Sequence, residues 1–357
     1  MRGSARYLTP AGVLAAVWLA GGCGRFGFDR ESTDAPTAGA DAGNDAGADA
    51  SSFVPDVGNC LVAERGPFVD VGMFPTQGGG FGVFSAPPDL LVADMTGGVH
   101  NLRFDGSAFT EVGSLSSLGW VEAVWGDGQY VYVGAPGTGL AVIEVASDGR
   151  LTLRAQDTTQ LREARRGAVS NGVIFVPTGP AGLFAVRFDG TSIAQVAPAL
   201  PTVSWSSGVW ARGSRVLFGD GASFRVLDFD GTSFTDVVPP DARHGGSRVW
   251  SDGVTIFVAS NAGATAYRVS GATLVELDTF TTAGNARDIW SDGTHVFVAA
   301  EAGGIYALAF EADQFSLIDQ ISPGTSALGV FGDGTYIYAN DATGGVHAYA
   351  GFRCQSW

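Results

Sequence analysis

Lysine is absent from this chain of 357 residues; all 20 basic residues are arginine. Schiff-base and lysine-nucleophile chemistry are therefore excluded. Histidine occurs four times and cysteine three, and charged residues make up only 16% of the chain. Positive charge is scarce as well: the net charge is −16, and residues 53–357 hold 16 arginines against 30 acids. A field of that sign repels phosphate backbones and anionic bilayers, which argues against nucleic acid as a partner and against membrane docking by charge. The apolar run Ala11–Ala20 is too short to cross a bilayer as a helix.

Glycine, by contrast, is abundant, at 53 residues. Much of it belongs to a repeat. Six times an anchor residue (Trp125, Val169, Trp210, Trp250, Trp290, Phe331) is followed by a tight turn and an alternating apolar run, as in Trp290-Ser291-Asp292-Gly293. Phe84 opens a seventh copy, in which Ala86-Pro87 replaces the turn glycine, and successive anchors lie 41, 44, 41, 40, 40 and 41 residues apart. Short strands repeating at this period predict an all-β, seven-bladed β-propeller with four antiparallel strands per blade. In the template copy, strands are expected at 286–290, 295–299, 305–310 and 314–318, with Asp-Gly forming type I′ hairpin turns. Second strands such as Val131-Tyr132-Val133 are apolar on both faces, as a blade packed between two neighbours requires.

The N-terminus is organised differently. Arg2 and Arg6, the apolar run and the small residues before Cys23 read as a signal peptide over 1–22. Its ending resembles a bacterial lipobox, with Ala20 where leucine is usual, and the resemblance implies a lipidated Cys23. Residues 23–57 form the anchor and an Asp-Ala-Gly tether with too little apolar area to fold. In composition the tether resembles those of surface proteins of myxobacterial type. The propeller is assigned to 58–357. Leu140-Ala141-Val142-Ile143-Glu144-Val145 and Val131-Tyr132-Val133 resemble the propeller repeats named for a Leu-Val-Ile-Val-Asp signature, which occur in secreted and lipid-anchored bacterial proteins. That motif is structural and carries no catalytic residue.

The last copy ends without a fourth strand, and Phe68-Val69-Asp70-Val71-Gly72 mirrors the fourth strand Phe109-Thr110-Glu111-Val112-Gly113. The N-terminal segment is therefore expected to complete the C-terminal blade. Cys60 and Cys354 flank that closure and, in an exported protein, are expected to form a disulfide.

Candidate function concentrates where the first strands begin. Three and two positions before the anchors stand Glu122, Arg166, Arg248, Arg287 and Asp288, among smaller residues. Arginine forks suit a small anionic ligand; mutual Arg–acid pairing is the structural alternative. Asp94, Asp220, Asn261, Glu301 and Asp341 supply oxygens of the kind that hold calcium or another divalent metal, without the spacing of a known loop. No cofactor is expected. The repeated tryptophans are expected to pack blade on blade rather than line the channel for stacking. His100 and His347 occupy matching places on neighbouring blades, about 10 Å apart on sheet spacing, too far to share one ion. Sialidase, Trp-Asp and quinoprotein docking motifs are missing. The leading expectation is a non-catalytic envelope lipoprotein that binds an envelope protein or a small anion. The alternatives are a lactonase- or hydrolase-like metalloenzyme using Glu122 and Asp288, and a purely structural envelope protein.

Overall fold

A computed structural model describes residues 63–354, apart from 203–204, 221–222, 241–245, 247 and 323. Among the described residues every regular element is a strand, and the strands form seven four-stranded antiparallel sheets. The sheets are the predicted blades. Their innermost strands are Gly82–Ala86, Ala123–Gly126, Ala168–Ser170, Gly208–Arg212, Arg248–Ser251, Asp288–Ser291 and Ala327–Gly332. Each lies against the inner strands of both neighbours, and Gly82–Ala86 meets Ala327–Gly332, closing the ring. In the template blade the observed strands are Asp288–Ser291, His295–Ala299, Ile305–Glu311 and Gln314–Ile321.

Closure uses the N-terminal strand. Ala63–Phe74 pairs antiparallel with Gly345–Cys354 as the outer strand of the seventh blade, with register partners running from Ala63↔Cys354 to Phe74↔Val346. Phe68 anchors it from inside, its ring edge-on to Tyr349 and Phe297 at 5.5 and 6.2 Å. Residue 354 ends the strand, but its side chain lies outside the described residues. So do Cys23, Cys60, the signal segment and the tether.

Burial follows the layering. Second strands such as Val131–Ala135 and His295–Ala299 are buried at every position, because both faces meet neighbouring blades. Fourth strands such as Thr273–Phe280 are mostly exposed or half-buried. In four blades the pairing of third and fourth strands slips at the same place, between Asn101/Leu102, Val142/Ile143, Ala266/Tyr267 and Ala307/Leu308. A bulge there adds local twist where the blade fans outward.

The turns differ from expectation. Of the inner Asp/Asn-Gly turns only Asn171-Gly172 has positive φ at both residues (52° and 68°), as type I′ demands. At Asp127-Gly128 only the glycine is left-handed, with φ 86°. The Gly126↔Val131 pair leaves four residues to turn, and Asp127 Oδ1 accepts the amides of Gln129 and Tyr130 at 2.9 and 2.8 Å. Asp252, Asp292 and Asp333 do the same two and three residues on. The carboxylate satisfies two amides at once, which favours this longer Asx-capped loop over the two-residue turn.

Candidate functional site in the funnel

Because every inner strand begins at the same face, residues two and three before the anchors converge on the mouth of the bore. Arg166 of the third blade reaches across the channel to Asp288 of the sixth, where it donates from Nη1 to Oδ2. The same carboxylate oxygen accepts the Val330 amide of the seventh blade at 3.1 Å. Asp288 thus ties three blades together. Glu122 turns to the rim instead: Oε2 accepts from Arg165 Nη1 at 2.5 Å and Oε1 from Trp120 Nε1 at 3.1 Å. Arg287 points outward to Glu301, which also takes the Asn285 amide at 3.0 Å.

Arg248 has a different role. It donates to the backbone carbonyl of Ser207, and the ion pairs of the described residues give it no carboxylate partner. Burial pushes its pKa down to about 10, with Asp288 and Glu122 raising it and Arg166 and Arg165 lowering it. It remains cationic at neutral pH.

Below this polar layer lies a cavity of about 100 Å³ lined by Arg166, Arg248, Asp288 and all seven anchors. The anchors also pack between blades. A Cβ on Gly126 would stand 2.8 Å from the Phe84 ring, one on Gly167 2.6 Å from Trp125, and one on Gly332 2.5 Å from Trp290. Each ring leans onto the backbone of the next inner strand, so the glycines there leave room for an aromatic. Packing and channel lining, set against each other on sequence grounds, are the work of the same side chains. The indole N–H groups of Trp125 and Trp210 are buried without a hydrogen-bond partner among the described residues.

The loop acids mostly serve the backbone. Asp94 is buried and accepts the Gln77 and Gly78 amides at 2.9 and 2.7 Å. Asp341 accepts Thr325 Oγ1 and the Thr325 and Thr343 amides. Burial raises its pKa, but the bonds from Thr325, Thr343 and Ser326 outweigh burial and hold it below the usual carboxylate value. Asp220 is also buried and caps Ser223. Among the described residues no three His, Cys, Asp or Glu side chains gather as a metal site. His100 bridges Asp94 at 3.1 Å and Glu111 at 3.2 Å, whereas His347 binds Asp70 at 2.8 Å.

Three functional candidates escaped the sequence reading: Trp120, Arg165 and Trp205. The two indoles are 44% and 49% exposed, unlike the buried anchors. Arg165 stacks its guanidinium over Trp205, 5.2 Å from the ring centre. A continuous Trp120–Glu122–Arg165–Trp205 chain therefore runs along the rim over the second to fourth blades. The signal was available. Both tryptophans stand five residues before an anchor, Trp125 and Trp210, an offset beyond the two positions considered.

No protein-family model matches the chain, and no curated protein sequence does. Among solved structures it is similar to the WD40 β-propeller domain of Doa1, with TM-score 0.60 and 11% identity over 80% of this chain and 97% of that one. It is also similar to the computationally designed Ika8 protein, with TM-score 0.58 and 8% identity over 79% of this chain and 99% of that one. At such identities the likeness is one of fold.

Proposed function

We propose that this chain is a non-catalytic binding module, exported and lipid-anchored through Cys23 to the outer membrane or cell surface, with the funnel rim as its recognition surface. The observation that carries the reading is the rim chain: two half-exposed indoles held in place by Glu122 and Arg165. Exposed aromatics fixed by polar neighbours offer large contact area at low entropic cost. Loops on a rigid frame are the usual seat of recognition. The Cys60–Cys354 disulfide of this reading rests on the export signal and on the two cysteines flanking the closing strands in sequence. The lipobox, the tether and the Leu-Val-Ile-Val-Asp-like strands support the envelope assignment.

The test uses the full chain in its own membrane. A photo-crosslinking residue at position 120 or 205 is expected to trap one discrete partner, and the same residue at exposed Val275 to trap none. Cys23→Ser is expected to release the chain from the membrane fraction. Crosslinking equal at all three positions overturns the rim assignment. Metal-dependent hydrolysis abolished by Glu122→Gln and Asp288→Asn would establish the enzyme reading instead.

A further inference from the structure

We infer that the bore beneath the rim is a binding site for a small organic monocarboxylate carrying a short apolar tail. This rests on the binding-module reading for its biological sense, but it uses a different part of the molecule. The cavity wall is charge-asymmetric: Arg166 and Arg248 face a single carboxylate, Asp288, and Asp288 is already paired with Arg166. Among the described residues Arg248 bonds a backbone carbonyl and no carboxylate. The site therefore holds one positive charge more than its acids neutralise, inside a domain whose overall charge is strongly negative. The outer field is screened over roughly 8 Å at physiological salt, whereas low-dielectric walls strengthen the local charge.

Hydrogen-bond inventory points the same way. The wall supplies donors from Arg166 and Arg248, against one carboxylate acceptor. An occupant that accepts and does not donate complements it. Guanidinium groups prefer planar oxyanions that receive two parallel bonds. The rest of the wall is apolar: Phe84, Val169, Trp250, Trp290 and Phe331 line it. A fully hydrated inorganic anion gains nothing from such a wall, while an aliphatic tail does. At about 10–15 Å³ for each water-sized group, a cavity of about 100 Å³ suits a short-chain ligand and no large one. Butyrate and 3-methylbutyrate fit that size. Arg166 keeps 17% of its side chain exposed, so the site is not sealed from solvent.

The experiment is thermal shift and titration calorimetry on the full chain at constant ionic strength, with butyrate, 3-methylbutyrate, butanol, butylamine, sulfate and phosphate as probes. The carboxylates are expected to raise the melting temperature and the alcohol and amine to leave it unchanged. Arg248→Gln should weaken carboxylate binding at least tenfold. Asp288→Asn, which frees Arg166, should tighten it several-fold, and Arg248→Gln carries the test alone should that variant not fold. Equal stabilisation by butanol and butyrate, sulfate binding as tightly as butyrate, or an Arg248→Gln affinity equal to wild type each overturns the assignment. Failure of all six probes overturns it too, while leaving the rim reading to stand on its crosslinks at 120 and 205.

Discussion

The Asp288→Asn substitution tests how the ring is held across its own hole. Asparagine keeps the shape and an acceptor for the Val330 amide, but it removes the charge facing Arg166. The cavity wall then carries Arg166 and Arg248 with no carboxylate facing them. Breaking a buried pair by neutralising one member costs about 3–5 kcal/mol, because the other charge stays desolvated. Asp288 is 4% exposed and Arg166 17%, and the wetter arginine end brings the expectation to about 3 kcal/mol. At about 2 °C per kcal/mol for a domain of this size, the melting temperature falls by about 6 °C. Urea unfolding measures the loss directly. Adding Arg166→Met to Asp288→Asn removes the orphaned charge and is expected to recover about 2 kcal/mol or more. A loss below about 0.5 kcal/mol for Asp288→Asn, or an Arg166→Met that adds to the loss, would refute the reasoning.

Three further outcomes are expected. Gly332→Ala drives a Cβ to 2.5 Å from the Trp290 ring, an overpacking cost of about 1–3 kcal/mol in urea unfolding. Asp127→Ala strips the turn of two amide bonds and leaves the buried Tyr132 hydroxyl without the acceptor it now has at 2.6 Å; the expected cost is about 1–3 kcal/mol by the same assay. His100 has its pKa raised, chiefly by its bond to Asp94 against the opposing effect of burial, with Glu111 assisting. Its stabilising contribution is therefore complete below the ordinary value of 6.5 and is lost as pH rises through the higher folded value. Melting curves from pH 5 to 8 should show this loss in wild type and not in His100→Gln.

Blade number and closure were legible because both rest on periodicity. The anchors recur every 40 to 44 residues, and Phe68-Val69-Asp70 mirrors Phe109-Thr110-Glu111 one blade further on. Turn geometry was less legible, since Asp-Gly is compatible with two loops and the choice depends on whether the carboxylate caps the next amides. The funnel was half legible. Strand direction put Arg166, Asp288 and Arg248 together as expected, but Glu122 and Arg287 turned outward to partners on their own rim. Only their offset, five residues before Trp125 and Trp210, sets Trp120 and Trp205 apart from the anchors in the sequence. Their exposure follows from lying before the inner strand begins, where no neighbouring blade covers them.

The closing strand also gives the disc a compass. Within a blade, alternate strands reverse direction, so Ala327–Gly332 starts at the funnel mouth and Ala63–Phe74 starts at the opposite face. Ala63 pairs with Cys354 at that far face, and Phe74 with Val346 near the mouth. The chain therefore enters the disc at the face opposite the mouth, with its indoles and its arginines.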